Sequence, residues 1–131
     1  KGENEDLNSI LTGIKQPKGR VHLAITDPIT REELEQCDRL EKNDKIVALA
    51  ALIDQRIYRH FKLFKTHFIA YDLLFGQRYS DRYTEQEKAD FIAYMNGGLD
   101  QLGKEMDRSE LEQIFLRIYA NPVINCLPDE K

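Results

Sequence analysis

Residues 16–29, Gln-Pro-Lys-Gly-Arg-Val-His-Leu-Ala-Ile-Thr-Asp-Pro-Ile (QPKGRVHLAITDPI), decide how the rest of the chain is read. Val21, Leu23 and Ile25 alternate with His22, Ala24 and Thr26, the period of a strand with one apolar face. Pro17 and Gly19 mark a turn before it, and Asp27-Pro28 ends it. The remainder of the chain reads as helix, so this strand has few partners. A strand without neighbours leaves its backbone N–H and C=O groups unpaired along both edges. Either Leu7–Lys15 supplies the partner or the partner lies elsewhere. Leu7–Lys15 (LNSILTGIK) is ambiguous between a short helix and a strand. If Ile10–Lys15 is extended, the QPKG turn folds it back on Val21–Ile25 as a hairpin, with Pro17 and Gly19 at the second and fourth turn positions.

Outward from this segment the pattern becomes helical. Thr30 with Glu33 forms a capping-box pair and predicts a helix from Arg31 to about Glu41. Asn43 is a candidate N-cap for the next helix. There Ile46, Ala50, Ile53 and Ile57 recur at helical spacing, with Leu49 and Leu52 widening the stripe. This most apolar helix is the expected centre of the core. Leu63-Phe64-Lys65 reads as a connector, and Thr66 as the cap of a helix stopped by Gly76. Gln77–Tyr83 (QRYSDRY) is a polar loop. Thr84 with Glu87 starts a helix carrying Phe91, Ile92 and Met95, and Gly97-Gly98 predicts a bend or a break in it. Asp107 with Glu110 starts the last one, with Leu111, Ile114, Phe115, Ile118 and Tyr119 on one face. Asn121-Pro122 is expected to end it, leaving Val123–Lys131 irregular. The fold class is therefore mainly α, five or six helices with a short N-terminal β-hairpin or lone strand. The 131 residues make one domain, with a strand segment at 7–29 and a helical region at 30–131.

Composition narrows the function classes. An apolar fraction of 41% and a charged fraction of 32% fit a globular domain. A net charge of −4 argues against a nucleic-acid partner. Two cysteines, Cys37 and Cys126, are too few for a disulfide framework and read as free thiols. The longest apolar run, Ile46–Ile53, falls far short of the ~20 residues a membrane helix needs. No phosphate-binding loop, nucleotide-binding glycine pattern or zinc spacing occurs, so no cofactor or metal is expected.

Three constellations could carry chemistry. A histidine followed five residues later by an aspartate occurs twice, as His22/Asp27 and His67/Asp72. Such a spacing can hold a general base oriented by a carboxylate. On a strand the offset puts the two side chains on opposite faces, and on a helix about 140° apart. His67, just after a helix start, comes nearer to a workable geometry than His22. Second, Gln55–Phe68 (QRIYRHFKLFKTHF) concentrates Arg56, Arg59, Lys62 and Lys65 with no acidic residue among them. Tyr58, Phe61, Phe64 and Phe68 interleave with these cations. Contact with an anionic lipid headgroup or a phosphate is the functional reading, making these four the candidate substrate-binding residues. A basic helix C-terminus matched to its macrodipole is the structural one. Third, the acidic residues gather at helix starts, where caps favour them, and no pair carries an acid–base signature.

The order of features resembles one family. KGRVHLAITDPI looks like a late strand and turn of glycerolipid acyltransferases of the glycerol-phosphate and lysophosphatidate type. IDQRIYRHFKLFKTHFIAYDLL is similar to the helix, aromatic-basic connector and Asn-Tyr-Ile-Ala-Tyr-Asp-like stretch that follow in some bacterial members. IFLRIYANPVIN resembles the end of such chains. The likeness spans residues 7–125. It implies a C-terminal helical region of an acyl-CoA or acyl-carrier-protein dependent enzyme, inactive by itself, with a catalytic half missing from this chain as its partner. It further implies a cytoplasmic place, peripheral at the inner membrane. The family's catalytic His-x4-Asp lies far upstream of this strand, and the family also has a Pro-Glu-Gly-Thr-Arg-like block that holds the acceptor phosphate. Neither has a counterpart here, so no catalytic residue carries over. An exposed strand edge would also allow a homodimer. The rival reading is a self-contained helical interaction domain without an enzyme parent.

Overall fold

The computed structural model describes residues 5–15, 19–102 and 107–127. Among these are six α-helices: α1 (Glu5–Lys15), α2 (Arg31–Asp38), α3 (Lys42–His60), α4 (Lys65–Phe75), α5 (Glu85–Leu99) and α6 (Arg108–Cys126). A 3-10 turn, Ser80–Arg82, lies between α4 and α5. The chain is mainly α, as its helical periodicities predict.

The core sits in the C-terminal part. α4 packs along α6, and α5 closes against both. Ile69, Ala70, Phe91, Met95, Leu99, Leu116, Ala120 and Val123 are buried there, joined by Phe68, Tyr79 and Tyr83. α4 contributes Phe68, Ile69 and Ala70 in succession. A helix buries consecutive residues only when neighbours cover it on more than one side. Arg108 then fastens the start of α6 to the end of α5, reaching Asp100 at 2.7 Å and Asn96 at 2.8 Å.

One charged residue is buried in this core. The Asp72 carboxylate accepts hydrogen bonds from the backbone N–H groups of Arg78 and Tyr79 and, at 2.7 Å, from the Tyr83 hydroxyl. These bonds replace the water that a buried carboxylate loses. They fold the 77–83 loop under the end of α4. Burial and the adjacent Asp72 push the Tyr83 hydroxyl up to about 12. Gly76 ends α4 with φ 98°, a left-handed conformation that side chains rarely adopt, and its N–H bonds to the Asp72 carbonyl.

Two capping boxes form as expected. Thr30 and Glu33 exchange both bonds at the start of α2, and Thr84 and Glu87 do so at α5. Asp107 accepts from the Glu110 N–H at α6. Other expectations need correction. α2 stops at Asp38, short of Glu41. α3 starts at Lys42 after Glu41, not at an Asn43 cap. α5 continues through Gly97-Gly98 to Leu99, held by the buried Met95 and Leu99. α6 passes through Pro122 to Cys126. Proline removes one i to i−4 hydrogen bond and crowds the preceding turn. Here the bond lost is to the carbonyl of Ile118, on the solvent side, while Ala120 and Val123 are fully buried against α4.

The largest correction concerns α3 and the N-terminal hairpin. α3 is not the core centre: it has no buried residue, and Ile46, Val47, Ile53 and Ile57 stay exposed. Its neighbours are α2 and, more sparsely, α6. The hairpin is not shown. Ile10–Lys15 belongs to the amphipathic α1, and Gly19–Thr30 runs without helix or strand pairing. Residues 16–18, the expected turn, lie outside the described residues. Val21, Leu23 and Ile25 are 82%, 85% and 92% exposed. The irregular tail expected beyond Val123 is helical to Cys126; residues 128–131 lie outside the described residues.

These placements predict where stability resides. Val123→Ala should cost about 2 kcal/mol, whereas Val47→Ala on exposed α3 should stay within about 0.5 kcal/mol. Asp72→Asn should cost about 3 kcal/mol and Tyr83→Phe about 1 kcal/mol. The double variant should lose less than the sum of the two. Urea unfolding followed by circular dichroism measures all of these. A loss under about 0.5 kcal/mol for Asp72→Asn would remove the carboxylate from its central place.

Candidate functional site

The basic-aromatic run forms the corner between α3 and α4. α3 ends at His60 because Phe61 turns to extended backbone, its N–H reaching only the Tyr58 carbonyl at 3.4 Å. Arg59 and His60 occupy the last turn, where the helix macrodipole favours cations. Residues 61–64 then cross, without helix, to the start of α4. Leu63 and Phe64 are partly covered, while Phe61 and Lys62 are exposed.

The four candidate cations divide into two kinds. Arg56 is structural. Its Nη2 donates to both carboxylate oxygens of Glu33, at 2.9 and 2.8 Å, and to the Pro28 carbonyl at 3.3 Å. It thereby ties α3 to α2 and to the Asp27-Pro28 turn. The Thr30 backbone N–H, followed by Arg56, holds the Glu33 carboxyl below its usual range. Lys65 is structural too, pairing with Glu87 at 2.6 Å and so joining α4 to α5. Lys65, ahead of the Thr30-like cap at Thr84, lowers the Glu87 carboxyl in the same way. Arg59 and Lys62 have no ion pair among the described residues. Arg59 lines an open groove of about 540 Å³ between α3 and the end of α6, with Asp54, Tyr58 and Cys126. Lys62 stands 5.8 Å from the centre of the Phe64 ring, a cation–π contact. The run therefore presents Arg59, Phe61 and Lys62 outward, and spends Arg56 and Lys65 on tertiary structure.

His67 and Asp72 do not form a dyad. His67 Nδ1 accepts the Phe64 backbone N–H at 2.8 Å. Phe64 has no polar side chain to cap α4, so the imidazole three residues on fills the role, much as Glu33 and Glu87 do in their boxes. The ring packs beside Phe61, Phe64 and Tyr119, with centroids 5.6, 5.9 and 6.4 Å away. Burial lowers the His67 pKa. Asp72, near the other end of the helix, is engaged with the 77–83 loop instead. His22 and Asp27 both lie exposed on the unpaired segment, and no hydrogen bond joins them.

Arg20, which drew no attention in the sequence, reaches a second cleft of about 450 Å³ between α4 and α5, beside Lys65, Glu87, Asp90 and Tyr94. No local motif announces it, because the cleft is assembled from residues far apart in the chain. Both cysteines are free and half-buried, and burial pushes the Cys126 thiol up. Among the described residues no group of histidine, cysteine and carboxylate side chains could hold a metal ion, and no helix is long and apolar enough to cross a membrane.

Comparisons with protein-family models, with curated proteins and with solved structures give no match to this chain.

The His67 cap makes a pH prediction. Burial lowers its pKa below the ordinary 6.5, so the unfolded chain binds the proton more readily. Its contribution to stability is complete above 6.5 and is lost as pH falls from there toward the folded-state value. His67→Gln keeps an acceptor and removes the titration. The difference in unfolding free energy between the two proteins should therefore be steady above that point and shift against the wild type below it. A constant difference across the range would show that the imidazole does not titrate through folding.

Proposed function

We propose that the chain is the non-catalytic C-terminal helical region of a glycerolipid acyltransferase of the glycerol-phosphate or lysophosphatidate type. In this reading Gly19–Thr30 supplies an edge strand to the sheet of a catalytic half. α2 and α3 cover that half's surface, and α4–α6 brace them from behind. The α3–α4 corner, with Arg59, Phe61 and Lys62 outward, faces acyl substrate or an anionic membrane surface. Such a protein would work in the cytoplasm, peripheral at the inner membrane.

One observation carries the reading. Apolar residues in two separate patterns are uncovered in the N-terminal part of the chain: Val21, Leu23 and Ile25 at strand spacing, and Ile46, Val47, Ile53 and Ile57 on α3. Exposed apolar surface in that quantity marks an interaction site. α4–α6, in contrast, bury a shared core, with Phe75, Tyr94, Ile114 and Ile118 exposed around it. The resemblance of residues 7–125 to the late part of these enzymes supplies the identity of the missing partner. The second reading, a helical interaction domain, draws on the self-sufficiency of that core; it needs a protein partner at α3 but no enzyme.

Acyl transfer measured on the chain alone, with acyl-CoA or acyl-carrier-protein and lysophosphatidate, should give no turnover. Turnover abolished by His67→Ala would overturn this and restore a catalytic histidine. Light scattering should show self-association that grows with concentration and is reduced by Leu23→Lys, since an uncovered strand face recruits a second copy. A strict monomer that sediments with neither anionic nor neutral vesicles would favour the interaction domain.

A further inference from the structure

We propose that His67 is a proton-operated latch on the 61–64 connector, and that its release strengthens contact of the α3–α4 corner with anionic lipid headgroups. The inference rests on the reading of that corner as lipid-facing, and adds how the contact is regulated.

The geometry fixes the proton. Because Nδ1 accepts the Phe64 N–H at 2.8 Å, it carries a lone pair, and the ring hydrogen sits on Nε2. The Phe64 N–H has no other acceptor at this cap. Protonation of Nδ1 would set two donors against each other at 2.8 Å, so the bond must break. The new charge would also sit at the N-terminus of α4, where the macrodipole opposes a cation.

The surroundings do little to hold the charged ring. Phe61 and Phe64 flank it from the connector and Tyr119 from α6, and all three rings are tilted against it. On the connector the cation Lys62 lies over the Phe64 ring. On α4, Lys65 is engaged by Glu87 of α5, and Asp72 by Tyr79 and Tyr83. On α6, the Tyr119 hydroxyl is pushed up to about 12, chiefly by burial and then by Tyr94, so it stays neutral. Among the described residues no carboxylate lies within ion-pair distance of His67. The path of least resistance is for the ring to swing outward, releasing Phe61 and Phe64 from its faces. The corner, where Phe61 is already exposed, then adds the Phe64 ring and a third positive charge beside Arg59 and Lys62. That combination is what an anionic interface binds, by apolar insertion and by surface potential together.

Two measurements on the whole chain test this separately. The first follows the Phe64 backbone amide by NMR, through its chemical shift and exchange protection, from about pH 7.5 to about pH 5. Loss of protection with a midpoint below 6.5 is expected in the wild type, and a flat profile in His67→Gln. The second is sedimentation with vesicles of phosphatidylglycerol and phosphatidylcholine in about equal parts. Binding should rise about fivefold between about pH 7.5 and about pH 5.5 in the wild type and stay nearly level in His67→Gln. It should keep its rise in the His22→Gln, His60→Gln double variant and vanish in Arg59→Glu, Lys62→Glu. A Phe64 amide indifferent to pH, or a binding rise that survives His67→Gln, would overturn the latch. A titrating amide with no vesicle binding at any pH would overturn the lipid-facing reading instead, and the coupling with it.

Discussion

The buried carboxylate of Asp72 is the interaction on which the folded part of this molecule depends. A charge without water is tolerated only when donors surround it. Here the donors are the Arg78 and Tyr79 backbone and the Tyr83 hydroxyl. Meeting that demand draws residues 77–83 under α4 and brings two tyrosines into the core. The aromatic contacts of Tyr79 with Phe68 and Tyr71 follow from the same fold of the loop. The loop then delivers Thr84 to the start of α5, so that α5 can close the α4–α6 pair. Replacing the carboxylate with an apolar group would leave those N–H groups unpaired, which is why a polar residue persists where only carbon otherwise packs.

The two halves of the chain solve the burial problem differently. From Phe64 onward, each helix buries one face against another, and α6 does so with Leu116, Ala120 and Val123 while Ile114 and Ile118 of its expected stripe stay exposed. Before Phe64 the stripes are equally regular but open. α1 has no helix packed against it among the described residues, and α3 touches α2 and α6 without burying one side chain. Arg56 supports this arrangement, because its bonds to Glu33 and Pro28 hold α2 and the preceding turn in fixed relation to α3. The exposed faces are thus presented on an ordered frame. Periodicity states that a helix has an apolar face; it is silent on what covers it. The strong apolar pattern of α3 is therefore no evidence of burial within the same chain.

Local chemistry was the legible part of the sequence. Thr30/Glu33 and Thr84/Glu87 place two helix starts because each pair satisfies backbone donors using neighbours only. Gly76 marks a stop for a similar reason. What failed depended on tertiary context. Pro122 breaks a helix in isolation, yet in α6 the burial of Ala120 and Val123 outweighs one lost bond on the exposed side. The alternation of Val21, Leu23 and Ile25 is a strand pattern whose pairing partner is not among the described residues. In the candidate site, the cations were visible but not their division: which of four basic residues meets a carboxylate depends on where Glu33 and Glu87 fall in space.

The histidine–aspartate pair shows the same limit and gives it a chemical meaning. Spacing alone put His67 and Asp72 five residues apart on one helix, and helix geometry already set them on different sides. The structure assigns each to an opposite end of α4. His67 serves the backbone donor before the first turn, and Asp72 serves donors beyond the last. A catalytic base must keep its lone pair available to substrate, whereas Nδ1 of His67 is engaged by Phe64. A carboxylate that orients a base must face it, whereas Asp72 faces Tyr83. Both residues therefore act on the ends of the same helix. The neutral cap at its start is the weaker of the two, because a single proton removes it, while the buried carboxylate at its end is secured by several donors at once.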